Sequence, residues 1–213
     1  QKNLNLMLLE KSLLEKIKLN LMEKLIGLKK IKTAVFISGT GSNLKSLIKF
    51  AKIKKSPISI DLIVSNTNKA QGLSFSHQFK IKKKVFNFQN IKVVEKKLLK
   101  FLEKEKIKFI CLAGFMKILS KDFIKNFDGK IINIHPSLLP KYKGLNTHGR
   151  AINNKNKFAG CTVHYVTEKL DSGKIIIQKK VKIVAKDNPT SLSKKVLKEE
   201  HKLYPTAIMK IFN

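Results

Sequence analysis

The fold is decided by residues 31–43, which read IKTAVFISGTGSN. The opening run, IKTAVFISG, is almost entirely apolar and predicts a buried β-strand. A Gly-rich turn follows, and residues 42–54 then carry apolar side chains at helical spacing. A strand, a Gly-rich turn and a helix in this order are typical of the first unit of a parallel sheet.

The same alternation continues along the chain. We predict further strands at residues 58–66, 84–88, 109–114 and 130–135, with helices at residues 72–80 and 92–106. Near-continuous apolar strands of this kind indicate a mainly parallel sheet that helices cover on both faces.

The last third of the chain has a different pattern. Strands at residues 160–167 and 174–184 have no helix between them, which predicts an antiparallel pair. A C-terminal helix over residues 188–212 follows, and Pro205 is expected to kink or break it. The predicted fold class is therefore α/β: a Rossmann-like, mainly parallel sheet with helices on both faces, an antiparallel strand pair toward the C-terminus and a C-terminal helix.

Size and composition bound the domain organisation. The chain has 213 residues, of which 43% are hydrophobic, including 13 Phe, so it can bury a core and composition argues against disorder. In residues 1–30, leucines and methionines recur at helical spacing with lysines between them, which predicts an amphipathic helical leader of unknown role. We expect residues 31–213 to form a single domain. No apolar run approaches about 18 residues, so we expect no membrane partner.

The charge of the chain invites a nucleic-acid partner. Its formal net charge is +31, and of its 45 lysines and arginines only Arg150 is an arginine. Nucleic-acid recognition favours Arg, because its planar fork makes paired hydrogen bonds to phosphate and guanine. The lysines are instead spread over nearly every segment. This pattern favours compositional drift toward Lys on exposed positions over a specific nucleic-acid partner.

The Gly-rich turn is the first candidate site. Gly41 allows the backbone to approach an anion closely, and Ser42 and Asn43 add side-chain donors that also suit a helix cap. A turn with a helix cap and no ligand is the alternative. The position after the first parallel strand favours phosphate binding, because open α/β sheets bind ligands at the carboxyl ends of their strands.

The second candidate site lies in residues 132–140, which read INIHPSLLP. Asn133 and His135 are two residues apart on a predicted strand, so their side chains share one face. An amide and an imidazole side by side can stabilise an oxyanion and move a proton. A histidine satisfied at a strand end is the alternative. Asp171, in the turn TEKLDSG, is either an ordinary turn residue or, if the fold brings it to His135, a carboxylate that orients the imidazole.

Five motifs together resemble one enzyme family. SGTGSNL, LAGFMKILS, NIHPSLLPKYKGLNTH, TVHYVTEKLDSG and EEHKLYP occur in that order, as in the phosphoribosylglycinamide formyltransferases, and the resemblance runs from about residue 32 to the C-terminus. It implies formyl transfer from the co-substrate 10-formyltetrahydrofolate to the amine of glycinamide ribonucleotide in purine biosynthesis. It also implies no metal, a cytoplasmic location and a monomer or homodimer, with the N-terminal half of the domain binding phosphate and the C-terminal half binding folate and carrying the catalytic residues.

The resemblance assigns roles to residues of this chain. Asn133 and His135 stabilise the oxyanion, His135 delivers a proton to the leaving folate nitrogen, and Asp171 keeps His135 protonated. The ligand-binding residues that it implies are Gly41, Ser42 and Asn43 for the substrate phosphate, Glu200 for the glycinamide substrate, and Met116, Lys117, Ile118, Leu119, Asn133, Thr167, Glu168, Lys169, Leu170 and Asp171 for folate.

This chain departs from the family pattern at several positions. Lys117 stands where Arg is usual, Lys143 where Pro is frequent, and Ser172 where Gly is common; Lys92 is the weak counterpart of a folate-site arginine. Two related activities share the catalytic trio, namely methionyl-tRNA formyltransferase and formyltetrahydrofolate deformylase. The first family adds a sizeable C-terminal domain and the second an N-terminal regulatory domain, which argues against both, but these two activities are the alternatives to the transfer described above.

Overall fold

The computed structural model describes residues 13–15 and 30–212. The chain divides into two compact units, Gln1–Lys30 and Ile31–Asn213. In the first unit residues 13–15 are helical, and the rest of the predicted amphipathic leader lies outside the described residues. Within the described part of the chain, no helix is both long enough and apolar enough to cross a membrane.

The second unit alternates strands and helices around one sheet. Its elements are β1 (Ile31–Ile37), α1 (Ser42–Ala51), β2 (Ile58–Ser65), a 3₁₀ turn (Gln71–Ser74), α2 (Phe75–Phe79), β3 (Lys82–Val85), α3 (Ile91–Lys104), β4 (Phe109–Leu112), α4 (Lys121–Asn126), β5 (Lys130–His135), α5 (Thr147–Asn153), β6 (Phe158–Tyr165), β7 (Ile175–Lys182) and α6 (Pro189–Phe212). The seven strands lie in the order β3-β2-β1-β4-β5-β6-β7. The first five strands pair in parallel, while β6 and β7 add an antiparallel pair. The predicted fold class is confirmed.

The first strand shows why this sheet is buried on both faces. Alternate side chains of β1 enter different cores: Val35 and Ile37 belong to one apolar cluster, and Ala34 and Phe36 to the other. The first cluster includes residues of α1 and α6, and the second includes residues of α3 and α4. A strand with both faces covered by helices must be apolar throughout, which explains the unbroken run in the sequence.

The strand order also places a ligand crevice. The chain builds β2 and β3 on one side of β1 and then crosses to the other side to form β4 and β5. At such a reversal the connections leave the neighbouring strand ends in opposite directions and open a crevice at their carboxyl ends. The Gly-rich turn after β1 and the His135 end of β5 lie at this edge of the sheet.

Some elements differ from the predicted ones. The short helices α4 and α5 were not predicted, and β3 begins before the predicted strand at residues 84–88. Of the kink or break predicted at Pro205, the break is wrong, because α6 continues through this residue. Proline has no N–H to donate to the carbonyl of His201 one turn earlier. The hydroxyl of Ser46 on α1 donates to that carbonyl at 2.8 Å instead, so the packing of α1 satisfies the group that Pro205 leaves free.

Candidate active site

A cavity of about 950 Å³ opens at the carboxyl ends of β4 and β5. Its rim carries apolar side chains that are exposed, although such side chains are usually buried: Met116 (63% exposed), Ile118 (62%), Leu145 (76%) and Leu170 (50%). Pockets for small organic ligands are typically lined by apolar side chains with a few convergent polar groups. This opening therefore suits a ligand with a large apolar surface.

The polar groups of this cavity centre on His135. The side chains of His135 and Asp171 are almost fully buried, and Nδ1 of His135 lies 3.3 Å from Oδ2 of Asp171. The Nε2 atom of His135 lies 2.9 Å from the carbonyl oxygen of Tyr142. A carbonyl only accepts, so Nε2 carries the hydrogen and Nδ1 is the atom that faces the carboxylate. The backbone N–H of Gly144 also donates to Oδ2 of Asp171, at 2.9 Å.

The turn that carries Asp171 is built for a special backbone conformation. Asp171 has φ +46°, a left-handed conformation that Asp adopts more readily than most residues. At Gly173 an added Cβ would lie 1.7 Å from the carbonyl oxygen of Tyr165, so only glycine fits there. The turn thus directs the Asp171 carboxylate inward between two strands. The structure therefore brings together the His135 imidazole and the Asp171 carboxylate, which lie in separate segments of the sequence.

Asn133 lies beside this pair, next to a histidine that was not predicted. Asn133 of β5 faces His164 of β6 across the antiparallel pair, with Nδ2 of the amide 3.3 Å from Nε2 of the imidazole. His164 Nδ1 donates to the carbonyl of Tyr165 at 2.8 Å. Burial lowers the pKa of His164, an effect that the Tyr165 carbonyl and Asp171 oppose. The neutral ring therefore accepts from the Asn133 amide through Nε2 and fixes its orientation.

Residues of the Gly-rich turn are divided between cavity and support. Gly41 has φ +74°, and an added Cβ would lie 2.7 Å from Cα of Gly72, so the turn requires glycine. Asn43 lines the cavity, whereas Gly41 and Ser42 do not. The expected side-chain cap of the helix is wrong: α1 begins at Ser42, the cap position is Gly41, and no side chain caps it. The first backbone N–H groups of α1 therefore keep no helical acceptor.

Asn43 pairs with a buried carboxyl group on α6. Nδ2 of Asn43 donates to Oε2 of Glu200 at 2.7 Å, and both residues line the cavity. Burial raises the pKa of Glu200, and the hydrogen bond from Asn43 opposes that shift. The other amide atom of Asn43, Oδ1, is buried and has no hydrogen-bond partner among the described residues. A ligand that donates to this oxygen would satisfy it.

The loop of residues 116–119 forms one wall of the cavity and is fixed at both ends. The backbone N–H of Met116 donates to Oγ of Ser38 at 2.8 Å. At the other end, the carboxylate of Glu95 on α3 accepts from both the backbone N–H and the hydroxyl of Ser120. Glu95 is only 4% exposed, so this buried carboxylate holds the loop from inside. The loop itself contributes Met116, Lys117, Ile118 and Leu119 to the cavity.

The opposite wall contains the other predicted ligand-binding residues. Residues 167–171 all line the cavity, as do Asn133 and His135. Lys92, on the first turn of α3, does not. Within the described part of the chain, no group of three or more His, Cys, Asp or Glu side chains is arranged to hold a metal ion.

Two histidines of the cavity were missed by the sequence analysis. His164 follows an apolar strand pattern and gave no signal, because only the register of β5 against β6 places it opposite Asn133. His148 lines the cavity from α5, and both burial and the nearby His135 lower its pKa. Its Nδ1 atom is buried without a hydrogen-bond partner among the described residues. The spacing of residues along the sequence does not show that His164 faces Asn133 or that His148 lies near His135.

Comparison with known proteins places this site in a family. Residues 31–208 match the family described as Formyl transferase. The chain is 41% identical over 180 residues to a phosphoribosylglycinamide formyltransferase of Haemophilus influenzae, covering 83% of this chain and 85% of that protein. It is also 41% identical over 183 residues to the human trifunctional purine biosynthetic protein adenosine-3, which covers 84% of this chain but only 18% of that longer protein.

Solved structures give the same result. The crystal structure of phosphoribosylglycinamide formyltransferase from Brucella melitensis superposes with a TM-score of 0.82 at 42% sequence identity, covering 86% of this chain and 96% of that one. Sequence and fold therefore agree across the domain that carries the cavity, and the chain belongs to the formyl transferase family.

Proposed function

We propose that this chain transfers the formyl group of 10-formyltetrahydrofolate to the amine of glycinamide ribonucleotide, a step of purine biosynthesis, and releases tetrahydrofolate. Similarity to phosphoribosylglycinamide formyltransferases over most of the chain supports the reaction. The single observation that carries the chemistry is the buried His135–Asp171 pair beside Asn133. Acyl transfer to an amine needs one group that moves protons and another that stabilises an oxyanion, and these residues supply both.

His135 is the proton-transfer group in this proposal. Its Nε2–H is held by the carbonyl of Tyr142, so the proton that moves is the one on Nδ1. Asp171, with Oδ2 3.3 Å from that atom, accepts from Nδ1–H and orients the ring. His135 then donates to the folate nitrogen as the C–N bond to the formyl carbon breaks. The proton lost by the attacking amine restores the pair for the next turnover.

Asn133 stabilises the oxyanion. Its amide Nδ2 has two hydrogens, and the contact with His164 uses one of them. The second hydrogen remains for the oxygen of the former formyl group, which gains negative charge as the amine attacks. A donor fixed in advance is worth more than a mobile one, because no reorganisation is needed when the charge develops.

The substrate phosphate is assigned to the start of α1. The uncapped N–H groups there and the positive end of the helix dipole favour an anion, and Gly41 permits the close approach. Asn43 and Glu200 line the same cavity as His135. They suit the hydroxyl and amine groups of a ribonucleotide, since the free Oδ1 of Asn43 and the Glu200 carboxyl both accept hydrogen bonds.

The folate co-substrate is assigned to the apolar end of the cavity. The loop of residues 116–119 and the turn of residues 167–171 present the exposed apolar side chains that suit a flat heterocycle. Lys117 and Lys169 on the same walls suit the carboxylates of its glutamate tail. We assign the reaction to the cytoplasm, where the two free and buried cysteines of the described chain would remain reduced.

The test is a formyl-transfer assay with purified protein and three acceptor conditions. With glycinamide ribonucleotide, we expect release of tetrahydrofolate in step with formylation of the amine. With methionyl-tRNA, and with no acceptor, we expect little release, because the relatives named above support neither the tRNA nor the hydrolytic activity. Equal release in all three conditions would refute the proposal in favour of hydrolysis, and preferential use of methionyl-tRNA would refute it in favour of the tRNA enzyme.

A further inference from the structure

The one arginine of the chain contacts a loop that hydrogen-bonds to the catalytic pair. Arg150 is on α5 and is exposed. Its guanidinium carbon lies 5.0 Å from the centre of the Tyr142 ring. Its Nη1 donates to the carbonyl of Lys143 at 2.7 Å and has a longer contact of 3.5 Å with the carbonyl of Leu145. Arg150 thus contacts three residues of the loop formed by residues 142–146.

This loop supplies backbone groups to both members of the pair. The Tyr142 carbonyl accepts from Nε2 of His135, and the Gly144 N–H donates to Oδ2 of Asp171. Asp171 also faces His164, whose Nε2 lies 3.7 Å from Oδ1, but the loop is the element that contacts both members of the pair, so its position influences how they meet. A shift of the loop by a fraction of an ångström would move both hydrogen bonds together.

A lysine at position 150 cannot make the same contacts. Guanidinium is planar and donates in its own plane, so it can stack on a ring and hydrogen-bond to a neighbouring carbonyl at the same time. Ammonium is a compact, strongly hydrated point charge, so it contacts the ring or hydrogen-bonds to the carbonyl, but does not do both at once. In a chain whose other basic residues are all lysine, Arg150 therefore occupies a position where the geometry requires a guanidinium group.

Two further contacts hold the same loop. Lys143 Nζ donates to Oγ of Ser172, at 2.5 Å, and so links the loop to the turn that carries Asp171. The Tyr142 hydroxyl accepts from the side-chain amides of Asn154 and Asn156. The Tyr142 ring is thus held at its hydroxyl by two amides and on its face by Arg150.

We propose that Arg150 is a positioning residue for the catalytic pair, acting through the loop of residues 142–146. Arg150 does not line the cavity; it holds the Tyr142 carbonyl and the Gly144 N–H where His135 and Asp171 need them. The catalytic consequence rests on the function proposed above, whereas the holding of the loop does not.

The experiment compares Arg150→Lys and Arg150→Ala with a matched control, Lys155→Gln. Lys155 lies just past the end of α5, is exposed, and its side chain has no hydrogen-bond or ion-pair partner within residues 13–15 and 30–212. The control therefore removes a positive charge from the same region without touching the loop. Each variant is measured for kcat, for the KM of glycinamide ribonucleotide, for thermal unfolding, and for cleavage by a lysine-specific protease at Lys141 and Lys143.

We expect both Arg150 variants to lower kcat about tenfold, the factor that corresponds to about 1.4 kcal/mol. This is less than the full worth of an exposed cation–π contact and a charged hydrogen bond, because the other contacts of the loop remain. The KM of glycinamide ribonucleotide should change less than twofold, since its site lies on α1. Cleavage in the loop should accelerate by a similar factor, because it tracks the open population. The melting temperature should fall by only a few degrees, because about 2–4 °C corresponds to each kcal/mol for a chain of this length.

Three results would overturn the proposal. If Arg150→Lys has the kcat and the cleavage rate of the wild-type protein, any cation at position 150 is enough to hold the loop. An equal fall in Lys155→Gln would mean that net charge, and not position, matters. Faster cleavage with unchanged kcat would mean that the loop does not position the pair. If the wild-type protein transfers no formyl group, the proposed function fails. Protease cleavage of the loop and the NMR chemical shift of the His135 ring, compared between the wild-type protein and the variants, then still test whether Arg150 holds the loop and the imidazole.

Discussion

Replacing Glu200 by glutamine tests the electrostatics of the cavity directly. The carboxyl is 6% exposed, and its oxygen accepts from Asn43 at 2.7 Å. Glutamine preserves the shape and the acceptor but does not ionise. The two proteins therefore differ mainly in one buried charge.

The direction of the effect follows from the pKa of Glu200, which burial raises above its ordinary value of 4.5. The folded protein then holds this proton more tightly than the unfolded chain does. Near pH 4 the carboxyl is mostly neutral in both states and contributes little. As the pH rises above 4.5, the carboxyl ionises first in the unfolded chain, and this ionisation lowers the free energy of the unfolded state. The free energy of unfolding therefore decreases until the pH passes the pKa of the folded state. Glu200→Gln does not suffer this loss.

The magnitude comes from the cost of burying a polar group that is only partly compensated, which is about 1–3 kcal/mol in proteins. For a chain of this length each kcal/mol corresponds to about 2–4 °C in Tm. We therefore expect Glu200→Gln to melt a few degrees higher than the wild-type protein at pH 8, with the difference vanishing toward pH 4.5. The assay is thermal unfolding by circular dichroism across this range.

The neighbouring carboxyl on α6 provides a control with the opposite sign. A hydrogen bond from Lys202 lowers the pKa of Glu199. Its contribution is present above its unfolded pKa and is lost as the pH falls. Glu199→Gln should thus melt at or slightly below the wild-type temperature at pH 8. If Glu200→Gln is the less stable protein at pH 8, or if its difference from wild type does not depend on pH, the reasoning about the buried charge is wrong.

The other predictions concern turnover and substrate binding. His135→Ala should lower kcat by about 10²–10⁴ with the KM of glycinamide ribonucleotide nearly unchanged; near-normal turnover would contradict its assigned role. Asn43→Ala should raise the KM of glycinamide ribonucleotide more than that of the folate, and equal effects on both would argue against the phosphate-end assignment. Glu95→Gln should raise the KM of the folate severalfold and leave the other KM unchanged, because an amide offers one acceptor where Ser120 uses two; a rise in both would indicate a general loss of packing.

The sheet could be predicted from the sequence because its strands are buried on both faces. Residues 34–37 (AVFI) are apolar without interruption and buried, and no amphipathic surface element has that pattern. The helices α4 and α5 have six and seven residues, too few for a periodic pattern to emerge. The continuity of α6 could not be predicted either, since it depends on a hydroxyl from Ser46 on another helix. The local sequence therefore predicts an element only where its structure does not depend on contacts with other segments of the chain.

The candidate site also has parts that follow from the local sequence and parts that depend on contacts between segments. Asn133 and His135 share a face because strand side chains alternate, and that geometry follows from their spacing. The approach of Asp171 to His135 depends on the pairing of β5 with β6 and on a left-handed turn, neither of which a single segment contains. The role of His164 depends on strand register alone. Sequence therefore identifies the residue types that chemistry needs, and the sheet determines which of them meet.

The placement of acidic residues explains how so basic a chain keeps a functional cavity. Of its 14 Asp and Glu, the buried ones in the described part of the chain are Glu95, Asp171 and Glu200. Two line the cavity and the third anchors one of its walls. A buried carboxylate is costly unless donors surround it, and here the donors are backbone N–H groups, a hydroxyl, an amide and an imidazole rather than lysines. Exchanges among exposed residues toward Lys thus leave these interactions untouched, because the site depends on donors other than lysine and on geometry that charge alone does not provide.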